Sequence, residues 1–202
     1  MKLKLLDEVL EFNNEETSIN EMFQQINNRV NERGVHLSHL VVNGVEVYED
    51  HGEYILERLS TIETVEAIVH TTKQLLSSIL LSAETYLKRA VPEVNNLVDE
   101  FYSTPTEESW QKLVQLLEGL QWITQMINNI DQLDHKILNW NEYLTSMATL
   151  ETELIPLMEA IENKDTVLIA DIIQYEVLPI LERLQIISTT TIDEQGERIE
   201  LS

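Results

Sequence analysis

Five histidines and 36 acidic side chains are the groups from which a metal site or a proton-transfer site would have to be built in this 202-residue chain. There is no cysteine, which excludes thiolate ligands, disulfides and cysteine nucleophiles. The sharpest of the histidine spacings is His36-x-x-His39. On a helix such a pair could chelate a metal. Here it leads into an alternating segment that reads as a strand, where residues three apart point to opposite faces, so chelation by the pair is not expected. His51 falls in a turn and His70 at a strand end. His135, flanked by Asp131 and Asp134, reads as a polar cluster at a helix end. A di-iron carboxylate bundle needs Glu-x-x-His on two helices. No glutamate here is followed by histidine at that distance, and Glu66-x-x-x-His70 has the wrong spacing.

Phosphate-cradling glycine loops are absent, as is the G-x-S-x-G nucleophile elbow. The expectation is therefore a protein with no catalytic residue, no metal and no cofactor. What the sequence does offer is apolar side chains in positions that a single core does not need. Trp122 lies off the main stripe of its helix, beside Ile123. Pro156 and Pro179 sit in two segments that match in residue type at every position, Glu153–Glu159 and Glu176–Glu182. Two proline-kinked helices curving around one core would account for that echo, and a widened gap opposite the kinks would receive a ligand or peptide. The last long helix carries apolar residues at more positions than one inward stripe requires, Ile173 among them. Trp122, Ile173, Pro156 and Pro179 are thus the expected partner-binding positions.

The elements that must hold these residues change character near residue 70. Before it, short alternating segments are separated by turns. The clearest is Leu40–Tyr48, where Asn43-Gly44 supplies the two positive φ angles of a type I′ turn and sets Val42 against Val45 and Leu40 against Val47. Lys2–Phe12 fits either a helix or a hairpin; the hairpin, turning at Asp7-Glu8, would place Leu3, Leu5, Leu10 and Phe12 on one face. Ser18 with Glu21 reads as a capping box opening a helix with the stripe Ile19, Met22, Phe23, Ile26 and Val30, closed at Gly34. Asp50 with Glu53 opens a short helix, and Val65–Val69 alternates as a strand.

After residue 70 the spacing is helical. A first helix runs from Thr72 to Tyr102 with a kink at Pro92. The second has Thr104 as N-cap and Pro105 at its first position. A break is expected near Asn128–Asp134, and a last helix runs from the N-cap Asp165 to about Ile187. The fold class that follows is α+β. Residues 1–70 form a small sheet domain of ββαββ type, ubiquitin-like or ferredoxin-like in size. Residues 71–188 form an antiparallel bundle of about four helices, and residues 189–202 a flexible acidic tail.

With 13 basic residues against 36 acidic ones the formal net charge is −23. Phosphate and anionic-membrane partners need the opposite balance, so neither nucleic acid nor membrane is expected. No apolar run is long enough to span a bilayer, and acids interrupt the start before a signal-peptide core could form. The expected function is a non-enzymatic protein-interaction module with an acidic surface, a cytoplasmic adaptor or chaperone-like protein that binds a protein partner or a second copy of itself. The alternative is a ligand-binding regulator or atypical enzyme with its site where the sheet domain meets the bundle.

Overall fold

The computed structural model describes residues 1–133 and 137–195, so the expectation for His135 and that for the last residues of the tail lie outside it. The chain divides into two compact units, Met1–Leu75 and Leu76–Ser202, each with its own apolar core.

The first unit has the order β1 (Lys2–Leu5), β2 (Glu8–Glu11), α1 (Glu16–Arg33), β3 (Val35–Val42), β4 (Val45–Val47), α2 (His51–Arg58) and β5 (Thr64–Thr71), with one 3-10 turn, Leu59–Thr61, before β5. The strands form one mixed sheet ordered β2-β1-β5-β3-β4, with β1 parallel to β5 and the other pairs antiparallel. This ββαββαβ order departs from the ferredoxin-like βαββαβ order and agrees with the ubiquitin-like alternative. Leu3, Leu5, Leu40, Val42, Val65 and Ala67 of the sheet are buried with Ile19, Met22, Ile26 and Val30 of α1 and with Ile55 of α2.

The Asn43-Gly44 turn forms as its sequence requires, with φ of 48° and 84° and the pairs Val42–Val45 and Leu40–Val47. Asn43 does more than turn the chain. Its Nδ2 donates to the Thr61 carbonyl at 3.0 Å, and its Oδ1 accepts from the amides of Glu63 and Thr64 at 2.9 and 3.0 Å, tying the hairpin tip to the start of β5. The first hairpin turns one residue earlier than expected. Leu5 pairs with Glu8, and Leu6 takes the left-handed conformation with φ 54°.

Ser18 is not an N-cap. The helix begins at Glu16 with Glu15 in the cap position, and Ser18 is buried inside the first turn. Asn14 fixes this earlier start, because its amide donates to the carbonyls of Leu59 and Ile62 and its Oδ1 accepts from the terminal amine.

The second unit contains four long helical stretches: α3 (Thr72–Tyr102, begun in the first unit), α4 (Glu107–Asp131), α5 (Trp140–Glu162), and a broken one made of α6 (Thr166–Ile172), a π turn (Ile173–Val177) and α7 (Leu178–Gln195). Contacts between their ends make neighbours antiparallel. Phe101 meets Trp110 while Tyr86 meets Trp122, which sets α4 against α3. Tyr102 bonds to Asp171 while Glu84 accepts from Thr189, which sets the broken helix against α3. Tyr143 at the start of α5 donates to Thr191 near the end of α7.

Two boundaries differ from expectation and one agrees with it. The N-cap of α4 is Thr106, reciprocally bonded with Ser109, so Pro105 precedes the helix instead of opening it. The break after α4 does occur, at Asp131. The last helix keeps Asp165 as its N-cap, bonding the Leu168 amide, but continues to Gln195. Residues 189–195 are therefore helix and not tail. Ser188, Thr191 and Ile192 are buried, and that burial stabilises the additional turns.

Candidate functional site

The sequence placed two prolines where helices should bend, and in the last helix a π turn lies just before Pro179. A proline at that position has no amide to donate to the carbonyl four residues back. The chain responds with a π turn over Ile173–Val177, in which the Leu178 amide reaches the Ile173 carbonyl five residues back. One extra residue in the turn shifts the phase of everything beyond it. Ile169, Ile172, Ile173, Val177, Ile180, Leu181, Leu184 and Ile187 are buried along the inner side. The outer side keeps its own apolar series. Leu168, Tyr175, Pro179 and Ile186 are exposed, spaced seven, four and seven residues apart along the stretch that contains the π turn. Leu168 is 43% exposed, Tyr175 63% and Ile186 65%.

Carboxylates accompany this outer series. Glu176 and Glu182 are exposed on the same stretch, and Asp171 is half-buried beside it. Asp171 accepts from the Tyr102 hydroxyl at 2.5 Å, a bond that pushes the Tyr102 phenol well above its ordinary value. The same hydroxyl lies 2.9 Å from Gln174 Oε1. Arg183, the one cation of this stretch, is held by Glu142 of α5 at 3.3 Å. The face is thus apolar along its line and acidic at its margins.

The four expected partner-binding residues do not gather in one place. Ile173 is 0% exposed and belongs to the core, so it faces no partner; the π turn that carries it is packed from α5. Pro179 lies on the outer face just described. Pro156 is half-buried in α5, between exposed Ile155 and buried Leu157. Trp122 is 40% exposed on α4 and packs against Tyr86 of α3, ring centroids 5.5 Å apart.

A concave site lies between α3 and α4, beside a proline that the sequence reading treated only as a kink. Tyr86, Arg89, Ala90, Glu93, Val94 and Leu97 of α3, on both sides of Pro92, line it with Lys112, Gln115 and Leu116 of α4, and its volume is about 350 Å³. The Tyr86 ring lies over Gly119, where an added Cβ would fall 1.6 Å from the hydroxyl. That close approach needs a glycine. At the far end Lys112 pairs with Glu100 at 2.7 Å and Glu108 at 3.5 Å.

The histidines are arranged differently from the sequence expectation. A β-bulge between Leu37 and His39 inserts Ser38, so His36 pairs with His70 and His39 with Ile68. The extra residue restores parity and puts His36, His39 and His70 on one sheet face instead of opposite faces. They are engaged separately: His36 Nε2 with Thr72 Oγ1 at 3.1 Å, and His39 stacked on Tyr48 at 4.6 Å. Among the described residues no group of three or more ligating side chains converges as a metal site.

A family model described as "Domain of unknown function (DUF8042)" matches residues 78–187, and one described as "TP0873 N-terminal domain" matches residues 1–71. No curated protein and no solved structure matches the chain.

Proposed function

The chain belongs to the DUF8042 family, and we propose that it is a non-enzymatic protein-interaction module acting in the cytoplasm. The observation that carries the reading is the outer face of the last helix, where Leu168, Tyr175, Pro179 and Ile186 stay exposed while the inner face is fully used by the core. A long helix with a complete buried stripe gains nothing in its own fold from a second apolar line. Contiguous exposed apolar side chains on a soluble surface mark an interaction site. Exposed aromatic and aliphatic anchors along a helix suit an apposed amphipathic helix.

The margins select the partner. Asp171, Glu176 and Glu182 flank the line, and the whole chain carries −23. A second copy would bring the same charge against itself, whereas a segment with lysine or arginine beside its apolar stripe would be attracted and correctly oriented. The occupant is therefore a basic amphipathic segment of another protein, as an adaptor or chaperone would hold.

A photo-crosslinking residue at Tyr175, compared with one at the exposed Thr145 of α5, tests this in living cells. A single basic partner trapped from position 175 and not from 145 is the expected result. Crosslinking to a second copy of the chain, or identical profiles at both positions, would refute it.

A further inference from the structure

The groove between α3 and α4 is a second site, independent of the outer face of the last helix. Its floor is apolar, formed by Ala90, Val94, Leu97 and Leu116, and its rim carries Arg89, Lys112, Glu93, Gln115 and the Tyr86 hydroxyl. A mostly apolar concavity of about 350 Å³ with a few converging polar groups has the form of a small-molecule site. The charge at the rim is unusual for this chain. Two cations face one carboxylate in a protein that has 13 basic residues against 36 acidic ones.

The two cations are not equivalent. Lys112 is neutralised by Glu100 and Glu108. Arg89, by contrast, makes no ion pair among the described residues, although Glu93 lies one turn away on the same groove. An exposed guanidinium at the mouth of an apolar groove, with no internal counter-ion, is a ready partner for a carboxylate, which it can bind through two parallel N–H donors. Tyr86 and Gln115 add donors on either side.

We propose that this groove binds a small organic acid: a carboxylate, held by Arg89, on an apolar body that lies along Ala90, Val94, Leu97 and Leu116. The position of Tyr86 adds a consequence. Its ring closes one end of the groove by lying over Gly119 and against Trp122, so an occupant of the groove ends beside Trp122. The cation defines the headgroup, and the ring closes the groove beside it.

The test is calorimetric titration of the full chain with decanoate, decanol and decyltrimethylammonium, repeated with Arg89→Gln and with Leu116→Trp. The proposal requires saturable one-to-one binding of decanoate, at least tenfold tighter than the alcohol or the ammonium. Arg89→Gln should weaken decanoate at least tenfold, leave decanol unchanged and leave the melting temperature unchanged, since Arg89 is exposed and makes no ion pair among the described residues. Leu116→Trp should block both ligands by filling the floor. If Leu116→Trp unfolds, the Arg89→Gln comparison still decides. Equal binding of decanoate and decanol, decanoate binding insensitive to Arg89, or no saturable binding at all would each overturn the proposal.

Discussion

Glu100 and Lys112 show how a single pair can be read for its pH dependence. Hydrogen bonds from Lys112 and then from Ser109 hold the Glu100 carboxyl below its ordinary 4.5, while Glu100 in turn raises Lys112. A carboxylate with a depressed value contributes stability that is present above the unfolded value and lost as pH falls through the folded one. A lysine with a raised value contributes stability that is present below 10.5 and lost as pH rises through its folded value. The clasp between α3 and α4 should therefore weaken on both sides of a broad plateau, and Lys112→Met should flatten the acid limb in pH-dependent melting. Both side chains keep about a third of their surface in solvent, so the change is small. Asn43 is a residue of larger consequence. Losing its three side-chain hydrogen bonds and its tolerance of positive φ, Asn43→Ala should cost roughly 2–4 kcal/mol in urea denaturation of the sheet unit. Gly44→Val, with a β-branched residue at φ 84°, should cost about 1–2 kcal/mol there.

At the scale of elements, the last helix separates what each face does. Ile173→Glu places a charge in the core and should unfold the helical unit, a loss above about 4 kcal/mol by thermal or urea melting. Ile186→Glu, 65% exposed on the opposite side, should leave the melting temperature within about 1 °C. Both residues belong to the same apolar run, and composition alone cannot tell them apart. The π turn decides their phase, and it sits directly before Pro179, which has no amide for the carbonyl four residues back. Features set by local chemistry were legible: the Asn43-Gly44 hairpin, the Thr72–Tyr102 span of α3, the Asp165 cap. Features set by competition between neighbours were not. Ser18 has the residue type of a cap and lost that role because Asn14 anchors an earlier start. Thr106 displaced Thr104 because Ser109 can bond back to it. The bulge at Ser38 reverses the period-two argument for His36 and His39, and no residue type announces it. The groove beside Pro92 depends on Tyr86 covering Gly119, a pairing across 33 positions of sequence.

For the whole molecule, charge is the dominant property. At −23 the chain repels itself, and screening shortens that repulsion from about 30 Å at ~0.01 M salt to about 8 Å at ~0.15 M. The melting temperature should rise by several degrees over that interval, while a basic partner should bind more weakly. An unchanged melting temperature would show that the acids are already compensated in the fold. Salt acts on the margins of the docking face and leaves its apolar line intact, which makes Ile186→Glu the sharper probe. That substitution adds a negative charge, so a purely electrostatic contact with a basic partner would tighten. The most direct measurement is the dissociation constant of the partner trapped at Tyr175, for the parent chain and for Ile186→Glu at matched salt, with melting curves alongside. At least tenfold weaker binding with unchanged melting is the predicted result; equal or tighter binding by a normally folded Ile186→Glu would contradict the assignment of this face.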